Sequence, residues 1–410
     1  MDKDIINKDT INKSLINKGI IDKDIVVLGD IEMGAGNLTD DFISDKALAG
    51  LILSLSKKAS AVDLVLNGDT FDFLKCPSQL NPTVYPRHIT AEVSLAKLQL
   101  IHAAHKPVFS ALKTFAAQDD KRVIFILGNH DHDLIYPAVQ KEIQRLLGNN
   151  LSGNKDNNEG NIIFPGLHHQ DAGIYVEHGQ QYDFLFTVNF EKLFLNHRGK
   201  SILNFPYLTF GLISAYMHLK EQHPFLERIF PRPALLTHHQ VIAREFSKHS
   251  FRYFLKSLLY YPFRFYSDPT YAFPSGIVRE LYKRLRTVHW DVDDITSKFL
   301  EKRVVPHDII VLGHIHEKRI QRSGNKVIIH PGSWRDEYDF QAKTRELIPR
   351  SKRYVHITRR KGKLDHTIID LPLRRNILSF DEVLKDEFKY LQLAVQEEKS
   401  FNQQSILVYR

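Results

Sequence analysis

From residue 25 onward the hydrophobic pattern is a series of short apolar runs, broken only by Asp63: 25–28, 62–66, 123–127, 174–176, 309–312 and 327–329. They are rich in Ile and Val, and each stops at a glycine or a polar residue. A run without period-two alternation predicts a strand buried on both faces. Helical spacing fills several gaps between the runs, around residues 90–117 and 138–147. Alternation of strands with helices predicts an α/β core, whose functional side chains collect at the carboxyl ends of the strands.

Two stretches depart from this rhythm. Residues 1–24 carry a degenerate five-residue repeat (Ile6-Asn7-Lys8, Ile11-Asn12-Lys13, Ile16-Asn17-Lys18, Ile21-Asp22-Lys23). A period of five fits neither a helix face nor a strand face, which predicts a weakly structured tail. Residues 184–290 read as mainly helical, punctuated by Pro224, Pro231, Pro233, Pro262, Pro269 and Pro274. Within them Arg244, Lys248, Arg252 and Lys256 recur at four-residue spacing, making a basic stripe along one helix, while Ile242, Phe246 and Tyr253 lie off it. Near the end, a hairpin is predicted to turn at Lys361-Gly362. A last helix is expected from Ser379, with Glu382 completing a capping box. The expected division is a tail (1–24), a core (25–183 and 291–372), a basic aromatic insertion (184–290) and a helical extension (373–410).

Charge sharpens the picture of the insertion. The whole chain carries 56 Lys+Arg and 48 Asp+Glu, a net of +8. Residues 185–290 hold 15 basic and 6 acidic residues, a net of +9, so the remainder is 41 − 42 = −1. The same 106 residues contain 22 of the 44 aromatic residues. Such a segment suits an anionic partner with apolar or planar parts: a phospholipid, a lipid-linked nucleotide or a nucleic acid. The structural alternative is an aromatic subdomain with a solvated basic face. The single cysteine, Cys76, excludes a disulfide framework and a Cys-based zinc cluster, and fits a reducing compartment. No run approaches a membrane span, and Met1-Asp2-Lys3-Asp4 lacks the pattern of a signal peptide. A cytoplasmic protein, touching a membrane at most peripherally, is the expectation.

The runs end in metal-capable side chains: Asp30, Asp69, Asn129, His178 and His314. Around them stand Gly29-Asp30-Ile31-Glu32, Gly68-Asp69-Thr70-Phe71-Asp72, Gly128-Asn129-His130-Asp131 and Gly313-His314-Ile315-His316. None of these motifs is informative alone; all four in this order, each after a buried strand, are. Two divalent cations roughly 3.5–4 Å apart need six or more protein ligands, one of them able to bridge. Carboxylate, amide oxygen and imidazole suit Mn, Fe and Zn.

The order Asp, Gly-Asp, Gly-Asn-His-Asp, His, Gly-His-x-His resembles the calcineurin-like metallophosphoesterase superfamily, from about Ile25 to Trp334 outside the insertion. The resemblance implies an αββα two-sheet sandwich with a dinuclear site at the strand ends, here elaborated by the large mainly helical insertion and the C-terminal hairpin plus helix. It implies that Asp30, Asp69 and His316 hold one metal, and that Asp69, Asn129, His178 and His314 hold the other. His130 would serve the leaving group, oriented by Asp131, and a hydroxide bridging the metals would attack phosphorus. His330-Pro331-Gly332-Ser333-Trp334 also resembles a segment of these proteins. The superfamily usually has a histidine where this chain has Glu32. A carboxylate there is either a ligand favouring Mn over softer ions or the mark of a weakened first site.

By the same resemblance the chain is expected to be a metal-dependent phosphoric ester hydrolase, acting on a phosphoester or phosphoanhydride with two divalent ions. A lipid-linked or nucleotide-linked phosphate is the favoured substrate. The basic stripe is offered as its contact, and an anionic membrane surface as a partner. The design is similar to that of UDP-2,3-diacylglucosamine hydrolases, which also carry a helical cap, though a smaller one. The alternatives are a nucleic-acid phosphodiesterase, a protein or small-metabolite phosphatase, and a non-catalytic metal-binding protein. Asp72 and Asp131 read equally as turn residues, Asp183 equally as a site residue or a cap, and His132, His168 and His169 as surface residues.

Overall fold

The computed structural model describes residues 22–148, 160–211, 213, 216–272, 279, 295–303, 305–371 and 375–399. The repeat at 1–21 lies outside them, as do parts of the expected insertion and extension. Apart from a two-residue hairpin (Gln79–Leu80 with Thr83–Val84), the strands in chain order are β1 (Lys23–Leu28), β2 (Ala61–Asn67), β3 (Lys121–Ile126), β4 (Ile162–Gly166), β5 (His168–Asp171), β6 (Ile174–Glu177), β7 (Phe194–His197), β8 (Lys200–Leu203) and β9 (Ile229–Phe230). They continue with β10 (Ile309–Leu312), β11 (Lys318–Ser323), β12 (Lys326–Pro331), β13 (Tyr338–Gln341), β14 (Glu346–Pro349), β15 (Arg353–Arg360), β16 (Lys363–Asp370) and β17 (Leu378–Ser379). The main helices are α1 (Asp45–Ser56), α2 (Ala91–Ala104), α3 (Lys106–Ala116), α4 (Pro137–Leu146), α5 (Met217–Gln222), α6 (Pro233–His238), α7 (Gln240–Leu259), α8 (Tyr261–Arg264), α9 (Ile295–Lys302), α10 (Phe380–Lys385) and α11 (Glu387–Lys399).

All six apolar runs are strands. One sheet has the order β16-β15-β1-β2-β3-β4, with β1 to β4 parallel; the other has the order β11-β12-β10-β6-β5, with β6, β10 and β12 parallel. The strands alternate faces as the pleat requires. Ile25, Val27, Val65, Ile124 and Ile126 of the first sheet pack against Ile174, Val176, Ile309, Val311 and Ile329 of the second. The residues between them face outward: Val26, Leu28, Leu64, Leu66 and Phe125 meet α1 to α4, and Tyr175, Ile310, Leu312 and Ile328 meet Ile295 and Phe299 of α9. Helices therefore cover both outer faces, giving the αββα sandwich and explaining why no run alternates with polar residues.

The predicted hairpin turns at Lys361 and Gly362, both left-handed (φ 50° and 78°). Ser379 caps α10 by accepting from the Glu382 backbone N–H at 3.4 Å. The helical stretch 90–117 is broken at His105, because Pro107 cannot continue the hydrogen bonding of α2 but fits the first turn of α3.

The insertion is less purely helical than its sequence suggests. It opens with the antiparallel hairpin β7–β8, turning at Arg198 and Gly199 (φ 51° and 78°), and it supplies β9 to a third sheet of order β9-β13-β14-β17. That sheet carries a second apolar cluster, in which Phe225, Ile229, Leu235 and Ile242 of the insertion meet Tyr338, Leu347, Phe380, Val383 and Leu391. Glu387 of α11 accepts from the Phe225 backbone N–H at 2.8 Å and meets His223 at 2.8 Å.

Candidate metal centre

The parallel strands of both sheets deliver their motif residues to one edge of the sandwich. The local backbone is unusual. Nine non-glycine residues among those described have left-handed φ, and five of them are Asp30, Glu32, Asp69, His314 and His316. Such conformations cost energy and persist where the surroundings enforce them. Three glycines make the turns possible through space. A Cβ on Gly128 would lie 2.1 Å from Asp69 Oδ1, one on Gly68 2.5 Å from the His178 ring, and one on Gly313 2.9 Å from His178 Nδ1.

His178 Nε2 lies 3.1 Å from both Asn129 Oδ1 and Asp69 Oδ2, and 3.9 Å from Asp30 Oδ1. Its Nδ1 faces the Asn67 carbonyl oxygen at 2.9 Å. His314 Nδ1 is 2.8 Å from the same Asn129 Oδ1, and its Nε2 is 3.3 Å from Asp183 Oδ2. Ligand atoms of Asp69, His178 and His314 lie within 4.8 Å of one another, and all three residues are buried. Alongside, His316 Nε2 lies 3.3 Å from Asp30 Oδ1 and 3.4 Å from Glu32 Oε1, while its Nδ1 meets Glu337 Oε1 at 2.9 Å.

The donor chemistry tests whether cations fit. His178 and His316 face an oxygen acceptor at each ring nitrogen. A neutral imidazole has one N–H and can satisfy only one of them. At the other nitrogen a lone pair would oppose oxygen lone pairs, so a positive charge is required between them: a second proton or a metal ion. Burial alone would lower the His178 pKa, but Asp69 and Asp30 more than offset this and push it up to about 10. That is the protonic answer to a geometry that a divalent cation also satisfies, with Asn67 and Glu337 orienting the two rings from behind.

Glu32 is buried, and its oxygens meet Lys75 Nζ at 3.0 Å and Arg335 Nη1 at 3.2 Å. Burial opposes its ionisation, yet Arg335, His130 and Lys75 hold it well below the usual carboxylate range. Lys75 Nζ also reaches Asp41, Asp72 and Glu227 at 2.9, 3.0 and 2.9 Å. Asp41 in turn meets Lys220, Arg335 and Arg228 at 2.7, 2.7 and 3.2 Å. Four carboxylates (Glu32, Asp41, Asp72, Glu227) thus alternate with four cations (Lys75, Lys220, Arg228, Arg335) beside the centre. Glu32 brings a buried negative charge, and this network offsets it.

His130 is more exposed than His178, His314 and His316. Its Nδ1 lies 2.9 Å from Asp72 Oδ1, and its backbone N–H donates to Asp69 Oδ1 at 2.7 Å. Although burial opposes it, Glu32 and Asp72 push its pKa up to about 9. The expectation that Asp131 orients His130 is corrected here. Asp131 accepts from the backbone N–H groups of Gly128 (2.6 Å) and Thr70 (2.9 Å), tying two ligand loops together, and Asp72 holds the ring. Asp183 caps no helix: its Oδ1 accepts from the Leu185 N–H at 3.0 Å within a turn, while its Oδ2 faces His314. The segment 330–334 clamps the first loop: Ser333 Oγ and the Trp334 N–H both donate to the Asp30 carbonyl, at 3.1 and 3.0 Å.

Other expectations are also corrected. Arg244, Lys248, Arg252 and Lys256 stand exposed, the first three on the side of α7 away from Ile242, Phe246 and Tyr253, and Lys248 pairs with Glu245 at 3.4 Å. The stripe is open to solvent. His132 is buried against the Phe205 ring rather than lying on the surface, and burial lowers its pKa to about 4. His168 and His169 are half-buried. Sequence reading missed Lys75, Arg335, Glu337 and the ring-holding role of Asp72. The charged triplet Arg335-Asp336-Glu337, directly after the 330–334 segment, was the available signal.

No family model matches the chain, and no curated protein sequence does. Among solved structures, an archaeal phosphodiesterase aligns at 9% identity over 84% of this chain and 99% of its own, with a TM-score of 0.27. A vacuolar protein sorting 29 from Cryptosporidium parvum aligns at 9% identity over 85% and 98% (TM-score 0.21). A phosphopantetheinyl hydrolase from Mycobacterium tuberculosis aligns at 12% over 76% and 90% (TM-score 0.23). Likeness this faint says nothing of what the chain acts on. The sandwich itself, with the motif residues gathered at one edge, has the αββα two-sheet architecture expected from the sequence motifs.

Proposed function

We propose that this protein hydrolyses a phosphoester or phosphoanhydride bond with the help of two divalent cations. The observation that supports this best is the ring of acceptors around His178 and His316, a geometry that calls for positive charge at two adjacent points. Asp69, Asn129, His178 and His314 would hold one cation; Asp30, Asp69, His316 and Glu32 would hold the other, with Asp69 shared. Cations there would acidify a water and neutralise charge on the phosphoryl oxygens, and the carboxylate-rich pocket favours manganese.

The chain's own groups do the rest. His130, its Nδ1 held by Asp72, keeps Nε2 for a proton delivered to the departing oxygen. Asn67 and Glu337 fix the rings of His178 and His316. Phe186 packs its ring 5.4 Å from that of His314, and Phe184 nearby is exposed. A phosphate attached to an apolar group, such as a lipid-linked phosphate, suits that flank.

The test combines turnover of bis-p-nitrophenyl phosphate in Mn²⁺ with metal analysis of the purified protein. Asp69→Asn should remove bound metal and reduce kcat by about 10³-fold or more, the order expected on losing a transition-state charge stabiliser. Undiminished turnover in that variant, or wild-type protein that binds no divalent metal, would refute the reading.

A further inference from the structure

Nine of the sixteen large hydrophobic side chains that are exposed among the described residues fall within residues 241–266. They belong to α7, α8 and the segment that follows. The inner face of α7 is fully used: Ile242 and Ser257 are buried, Phe246 meets the Tyr216 ring, and Tyr253 meets the Tyr261 ring. At 100° per residue, Phe251, Leu255, Leu258 and Leu259 come to the opposite face, where Leu259 is 69% exposed. Exposed leucines and a phenylalanine on the outer face of an already packed helix have no folding rationale.

Charge says what would cover them. Arg244, Lys248 and Arg252 share that outer face and Lys256 flanks it; Glu245 is the only acid in the helix. Directly after it, Phe263 is 78% exposed and Tyr266 91% exposed, with Arg264 between them. Aromatic rings interleaved with arginine, beside aliphatic side chains and a cationic stripe, match the depth profile of a lipid headgroup layer: apolar groups enter the acyl boundary and cations stay with the phosphates. A single-stranded nucleic acid would use the rings and the cations but leave the leucines in water. Among the described residues no helix is long and apolar enough to cross a membrane, so the contact is parallel to the surface.

We propose that the outer face of α7 and the 260–266 segment form a docking surface for an anionic lipid bilayer. This goes beyond the proposed hydrolysis, and the proposal stands or falls on binding. Full-length protein is sedimented with phosphatidylcholine vesicles, plain or carrying phosphatidylserine, at low and high salt. Phosphatidylserine should raise the bound fraction, and salt should reduce it. The double variant Phe263→Ser/Tyr266→Ser should weaken vesicle binding by about tenfold or more, since two apolar anchors are removed. Its melting temperature and its turnover of a soluble phosphodiester should stay unchanged. Lys248→Gln/Arg252→Gln should weaken binding at low salt much more than at high salt. Equal recovery with both vesicle types, or wild-type binding by the double variant, overturns the proposal. So does a dimer dissolved by the double variant in protein that ignores vesicles, which would place a second copy on this face. Retention on single-stranded oligonucleotide without any vesicle binding would likewise overturn it.

Discussion

Glu32 shows how one residue can decide between two designs. A histidine in its place would take one carboxylate from Lys75 and Arg335, which would share Asp41 and Glu227 with one negative charge fewer in a dry interior. Breaking a buried ion pair by removing one partner typically costs about 3–5 kcal/mol. We therefore expect Glu32→His to lower stability in urea unfolding by up to about that amount, even with Mn²⁺ present; a variant as stable as wild type would show that the remaining carboxylates balance the two cations. The metal-capable residues were legible in the sequence because each follows a buried strand and sits beside a glycine. Lys75, Arg335 and Glu337 were not, because their partners lie tens to hundreds of positions away and only the folded chain brings them together.

At the scale of elements, the strands were readable because both faces of each sheet are covered. The β7–β8 hairpin was not, although Arg198-Gly199 between two short runs is a turn signal of the kind tight hairpins need. The break between α2 and α3 at His105 also carries a pH dependence. His105 Nδ1 meets Asp45 at 2.9 Å and Nε2 meets Asp40 at 3.0 Å, joining the break to the start of α1 and the loop before it. Burial alone would lower its pKa, but Asp40 and Asp45 push it up to about 10. A raised folded-state value means that this stabilisation is complete below about pH 6.5, the ordinary imidazole value, and is lost as pH rises through 10. Wild-type melting temperature should therefore decline over that window more steeply than that of His105→Gln. Parallel declines would mean that His105 is not the titrating group.

For the whole molecule, the insertion and the C-terminal helices cannot be treated as separate attachments. Phe225, Ile229 and Leu235 share a core with Phe380, Val383 and Leu391, and Glu387 holds the Phe225 N–H. Truncation before Glu387 should loosen the insertion as well, read as faster proteolysis within 216–260 and a lower melting temperature; an unchanged digestion pattern would show that the insertion holds its shape unaided. None of this third sheet was visible in the sequence, since β9 pairs with β13 across more than a hundred positions. The buried lattice of charges has a further consequence. Lys220, Glu227 and Arg228 come from the insertion, while Asp41, Lys75 and Arg335 come from the sandwich. Lifting one part from the other would separate opposite charges in a medium that solvates neither. The insertion is thus bolted to the sandwich and does not swing, so a ligand of the proposed centre would be selected by its fit to a standing shape and not by its power to trigger a closure.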